Sequence, residues 1–168
     1  MIKNNLSLSQ GAYVLSAAAC SNTLSRFTVC AITDHPRAPS PMVTTIISSI
    51  LSGLIMTSMP FCSNFSMFIT TGILYGFLCA PVASLLSVVL VEIATLEKLN
   101  NLFGIVAFIQ GVGTIAGPPT AGLLIDQLYH DNGINVCYVS GGLLMVLAGI
   151  FGILTKCLPV NDKNNQFL

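Results

Sequence analysis

GTIAGPPTAGLLID, residues 113–126, is the stretch on which the fold turns. Pro118 and Pro119 stand side by side among Gly113, Gly117 and Gly122, in the middle of an apolar run. Proline removes a backbone donor and clashes with the carbonyl one turn back, so these are the strongest breakers a helix can carry. In a bilayer, however, every backbone group must be bonded internally. Proline is tolerated there where neighbouring helices or water take up the freed carbonyls. The segment therefore reads as a kinked membrane helix, closed at its outer end by Asp126, with a neighbour covering the weakened turn.

Composition supports a lipid environment for the whole chain. Of its 168 residues 54% are hydrophobic and only 7% charged, and mean hydropathy is +0.84. A soluble domain carries about 25% charged residues, because its surface must face water. The net charge is zero and no basic run exists to neutralise phosphates, so nucleic acid is not a partner. The six cysteines (20, 30, 62, 79, 137 and 157) form no CxxC, and His35 and His130 stand alone. Neither a metal site nor a cofactor is expected, and the thiols read as small packing groups. The start, MIKNNLSLSQ, lacks the apolar core of a signal peptide.

About 20 apolar residues cross the hydrocarbon as a helix. Five candidates fit: 9–32, 42–60, 65–91, 102–125 and 136–157, followed by a short polar tail, 158–168. The first is the weakest, broken by Asn22 and Arg26. The expected fold is thus an all-α polytopic bundle of about five transmembrane helices, in one domain. Outside the spans or at their very ends, Lys3 lies on one side, while Arg37, Lys98, Lys156 and Lys163 lie on the other. That bias places the second side, with the C-terminus, in the cytoplasm.

Membrane helices associate where small residues let backbones approach. The third span carries such a ladder at spacing four, Gly72, Gly76, Ala80 and Ser84; the fourth carries Gly113, Gly117 and Ala121; Ala148 and Gly152 form a shorter one. Pro81 interrupts the third span as Pro118 and Pro119 interrupt the fourth, and kinked helices of this kind recur in transporters that rock around a central site. Glu92 and Asp126 fall at helix ends, either as solvated charges or as gating contacts.

Arg26 is the sharpest feature. A central arginine raises the insertion free energy by about 2.5–3.5 kcal/mol, so a charge inside a span points to function. Asn22, one turn earlier on the same face, is placed to accept from its guanidinium. An arginine presents a fork that suits a carboxylate. The alternative is a side chain that snorkels to the cytoplasmic boundary seven residues on, about 10 Å away at 1.5 Å per residue. No Ser-His-Asp, Cys-His or paired-carboxylate arrangement emerges, so enzymatic chemistry has no support.

SNTLSRF (21–27), LYGF (74–77), VVLVEIATLEKLNNLFGIVAFIQGVGTIAGPPTAGLLID (88–126) and YVSGGLLMVLAGI (138–150) resemble the C-terminal half of the monocarboxylate transporter family, within the major facilitator superfamily. The resemblance implies that the spans correspond to helices eight to twelve of a twelve-helix transporter in the plasma membrane. It implies that Arg26 binds a substrate carboxylate, and Asn22 beside it is the second candidate substrate-binding residue. Proton-coupled members carry an aspartate where this chain has Asn22, which argues against the same proton relay. Asp34 matches a superfamily loop position, whereas Cys30 stands where a glycine is usual. The expectation is secondary transport of a monocarboxylate or related small organic anion, by a fragment or truncated form, or together with another transmembrane chain supplying helices one to seven. The alternative is a non-transporting remnant or helix-packing subunit.

Overall fold

The computed structural model describes residues 8–33, 39–62, 64–93, 96–127 and 133–157. Its α-helices are α1 (Leu8–Thr33), α2 (Pro41–Ser58), α3 (Phe65–Ser84), α4 (Leu86–Ile93), α5 (Leu96–Gln127) and α6 (Gly133–Cys157). A single 3-10 turn, Met59–Phe61, follows α2, and no strand occurs among the described residues. The chain is an all-helical bundle, as its composition demands in a solvent that offers no hydrogen bonds.

Four stretches are long and apolar enough to cross a membrane: Pro41–Phe61, Phe65–Val91, Leu99–Ile125 and Gly133–Lys156. Helix α1 has the length, at 26 residues, but its Ser21, Asn22, Ser25 and Arg26 dilute its hydropathy. Three of those residues bond the neighbouring helix α3. Ser21 Oγ donates to Ile73 O at 2.8 Å, Asn22 Nδ2 to Gly76 O at 3.0 Å, and Ser25 Oγ to Phe77 O at 2.6 Å. The helix least suited to lipid is the one sewn by side-chain hydrogen bonds to its neighbour.

The helices pack in the order α1, α3, α2, α6, α5, each against the next. Glycine lets the first pair close. A Cβ on Gly76 would run into the Ala18 backbone, 3.0 Å from its carbonyl carbon, and one on Gly72 would sit 3.1 Å from Val14 Cγ1. Gly72, Gly76 and Ala80 are buried, and beyond them the Ser84 hydroxyl is enclosed with no hydrogen-bond partner among the described residues. The α2–α6 contact works likewise. Gly53 would meet Gly142 O at 2.7 Å, Gly152 would meet Ile46 Cγ1 at 2.8 Å, and Ser49 Oγ donates to Met145 O at 3.0 Å. Gly53, Gly142 and Gly149 are thus contact positions that a search at spacing four passes over.

Helix α5 differs. None of the most apolar part of Leu99–Ile125 is buried, against a third of Pro41–Phe61. A Cβ on Gly113 or Gly117 would meet nothing within 4 Å, so that small-residue ladder faces open space among the described residues. Helix α5 touches α6 near its end, where Gly133 abuts Ile125 and Cys137 Sγ lies 3.6 Å from Ala121 O. The chain stays helical through Pro118 and Pro119. Thr120 Oγ1 donates back to Ala116 O at 2.9 Å and Gly117 O at 2.8 Å, bonding the turn around the prolines from within.

Pro81 leaves a clearer mark. It lies inside α3, which ends three residues later; after Leu85 the chain resumes as α4. Leu85 N still bonds Pro81 O at 2.9 Å, and Val89 N bonds Leu85 O at 2.9 Å, so the break is one residue wide. Lys3, Asp34, Arg37, Lys163 and the tail 158–168 lie outside the described residues, as do the side chains of Glu92, Lys98 and Asp126.

Candidate functional site

Arg26 sits on the face of α1 beside α3, where the two helices leave an open groove of about 600 Å³. Leu15, Ala18 and Thr23 contribute from α1, and Tyr75 and Cys79 from α3, with Asn22 and Gly76 at its floor. Arg26 is the charged residue of this lining, and no carboxylate shares it among the described residues. Arg26 itself is exposed, Asn22 half-buried and Gly76 buried.

The geometry around the guanidinium is specific. Arg26 Nε donates to Asn22 Oδ1 at 3.1 Å, the contact that the i, i+4 spacing suggests. Asn22 Nδ2 at the same time donates to Gly76 O at 3.0 Å. Nε carries the only hydrogen bond of Arg26 among the described residues. Both terminal amino groups are therefore left to the groove, with up to four N–H donors. A cation without an anion beside it is costly in a low-dielectric setting, and among the described residues Arg26 has none.

The prolines, glycines and serines of α1 and α3 hold this geometry. Pro81 has no N–H for Phe77 O, and the Ser25 hydroxyl, on a residue with no exposure, donates its O–H there instead, with Oγ 2.6 Å from the carbonyl oxygen. Ser25 is one turn after Ser21 and one residue before Arg26, so the seam that closes the helix pair runs directly beside the charge. Nothing in the spacing of α1 alone pairs its serines with α3 carbonyls; their recurrence at i, i+4 is the one available signal.

A profile of the Major Facilitator Superfamily matches residues 1–167, nearly the whole chain. The chain belongs to that superfamily. Among curated relatives of this facilitator chain, monocarboxylate transporter 9 of Mus musculus is 30% identical over 126 residues, 73% of the chain and 23% of that protein. Monocarboxylate transporter 12 of Xenopus laevis is 23% identical over 116 residues, 69% and 25% of the respective lengths. Monocarboxylate transporter 7 of Homo sapiens is 31% identical over 84 residues, 49% and 16%. The matched region thus spans about a quarter or less of those relatives. No solved structure matches the chain. Membership makes this an integral membrane protein of a transporter superfamily.

Of the other residues singled out from the sequence, the structure brings Gly72, Gly76 and Ala80 to the α1–α3 side of the bundle. It leaves Gly113, Gly117, Pro118 and Pro119 on the bare helix α5, away from Arg26. Asp126 belongs to the last turn of α5.

Proposed function

We propose that this chain forms the C-terminal part of a secondary transporter for a small organic anion, a monocarboxylate or a close relative, with Arg26 as the anion-binding residue. The observation that carries the proposal is the uncompensated guanidinium of Arg26 in an open groove between two membrane helices. A fork of N–H donors recognises a two-oxygen head group by shape as well as charge. The names of the relatives point to the same class of solute.

Secondary transporters of this kind rock one helix bundle against another around a central site. Residues 8–157 supply one side of such a machine, and the bare face of α5 supports completion by further helices, from this polypeptide or from another transmembrane chain. The Lys/Arg bias puts the C-terminus in the cytoplasm, and the plasma membrane is the membrane this reading assigns. Pro81 and Pro118–Pro119, with Asp126 at the end of α5, are the places where bending and gating belong in this reading.

The test is saturable uptake of a labelled monocarboxylate by the assembled transporter. Substitution Arg26→Ala raises KM roughly 10- to 100-fold, the worth of a charged hydrogen-bond pair at about 1.5–3 kcal/mol. Arg26→Lys restores the charge without the fork and recovers only part of the affinity. Unchanged KM in Arg26→Ala sinks the assignment.

A further inference from the structure

Asn22 is held from two sides, and the two contacts demand opposite halves of its amide. Gly76 O accepts, so it takes Nδ2–H; Arg26 Nε–H donates, so it takes Oδ1. A flipped amide would set its oxygen against a carbonyl and its NH₂ against an N–H. The orientation is therefore fixed by the network rather than chosen freely. Gly76 makes the contact possible, because any side chain there would push the Ala18 backbone, and with it α1, away from α3.

Resting on the reading of Arg26 as the anion-binding residue, we infer that Asn22 is a positioning residue: anchored on the Gly76 carbonyl, it holds Arg26 by Nε so that both terminal amino groups face the groove. An ionised aspartate cannot do the same. A carboxylate would repel the Gly76 carbonyl and would neutralise the charge the anion needs. A permanently neutral amide keeps the guanidinium both aimed and unpaired. The Ser21–Ile73 and Ser25–Phe77 hydrogen bonds on either side keep α1 in register with α3, so the anchor and the charge move as one body.

Cys79 lines the same groove and serves as a reporter of its potential. The full chain, reconstituted in lipid nanodiscs, is treated separately with anionic sulfonatoethyl and cationic trimethylammonioethyl methanethiosulfonate. Modification of Cys79 is followed by peptide mass spectrometry. The ratio of the two rates cancels the thiolate fraction and reads the local field. The wild-type ratio favours the anionic reagent over its value in Arg26→Gln by on the order of tenfold, as for a unit charge nearby in a medium of intermediate dielectric. Asn22→Ala, with Arg26 intact but unanchored, loses most of that preference.

Asn22→Asp, near in size and able to pack in the same space, loses the preference at neutral pH and regains part of it as the carboxyl is protonated. The other titratable groups of the groove, Tyr75 and Cys79 on α3, are common to every variant. A preference that falls in Arg26→Gln but persists in both Asn22 variants overturns the positioning role and leaves the anion site standing. A ratio untouched by Arg26→Gln, or a Cys79 that neither reagent reaches, overturns the anion site and the positioning role with it.

Discussion

Pro81 has no N–H to offer Phe77 O, and inside a bilayer no water replaces it. Ser25 does so from the neighbouring helix at 2.6 Å, on a fully buried side chain. Its worth depends on the proline, which makes it separable by a double-mutant cycle. Ser25→Ala lowers stability by about 0.6–1.7 kcal/mol, the span found for hydrogen bonds between membrane helices, measured by denaturant unfolding in mixed micelles. In a Pro81→Ala background, where the backbone regains an N–H to bond Phe77 O, the same change has a much smaller effect. Equal effects in both backgrounds would mean that Ser25 acts by packing alone. The Arg26–Asn22 contact was legible from spacing, because both residues lie on one helix and one turn apart. The pairing of Ser21 and Ser25 with Ile73 and Phe77 was not, since it depends on the register of two helices 52 residues apart in sequence.

Among the helices, a glycine matters according to what its missing Cβ would strike. At Gly76 it would strike the Ala18 backbone, which cannot rotate out of the way. Gly76→Ala forces α1 from α3 and destabilises the chain by about 1–3 kcal/mol, the usual range for overpacking. Gly113→Ala meets nothing within 4 Å and removes the entropy penalty of a helical glycine, so it stabilises the isolated chain by up to about 1 kcal/mol. Unfolding the two variants beside wild type, with helicity followed by circular dichroism, checks the opposite signs. The sequence makes these two positions look alike, each in a ladder at spacing four. What separates them is whether a partner helix is present, and spacing does not encode that. Conversely, Gly142 and Gly149 stand seven apart and pack on α2 through Gly53 and Ile50, a contact visible only once the helices are placed.

At the scale of the molecule, burial is highest at α2, in the middle of the helix row, and falls to nothing at the α5 end. Pro41–Phe61 is a third buried in its most apolar part, Phe65–Val91 about a fifth (22%), Gly133–Lys156 11% and Leu99–Ile125 not at all. A helix with open glycines and two prolines, held chiefly by contact with α6, is poorly stabilised by van der Waals packing, the main attraction available between helices in lipid. In the proposed reading, its free face is where further helices add on. Ile115, 78% exposed, stands on that face; Phe68, 8% exposed, is its counterpart inside the bundle. A photoreactive benzoylphenylalanine at position 115 of the isolated chain yields lipid adducts, whereas one at position 68 yields crosslinks within the chain. When the complementary helices are co-expressed, position 115 exchanges lipid for protein adducts and position 68 does not change. Lipid adducts that persist at 115 in an assembly competent for uptake would show that α5 remains a lipid-facing helix, and that the bundle is completed on another face.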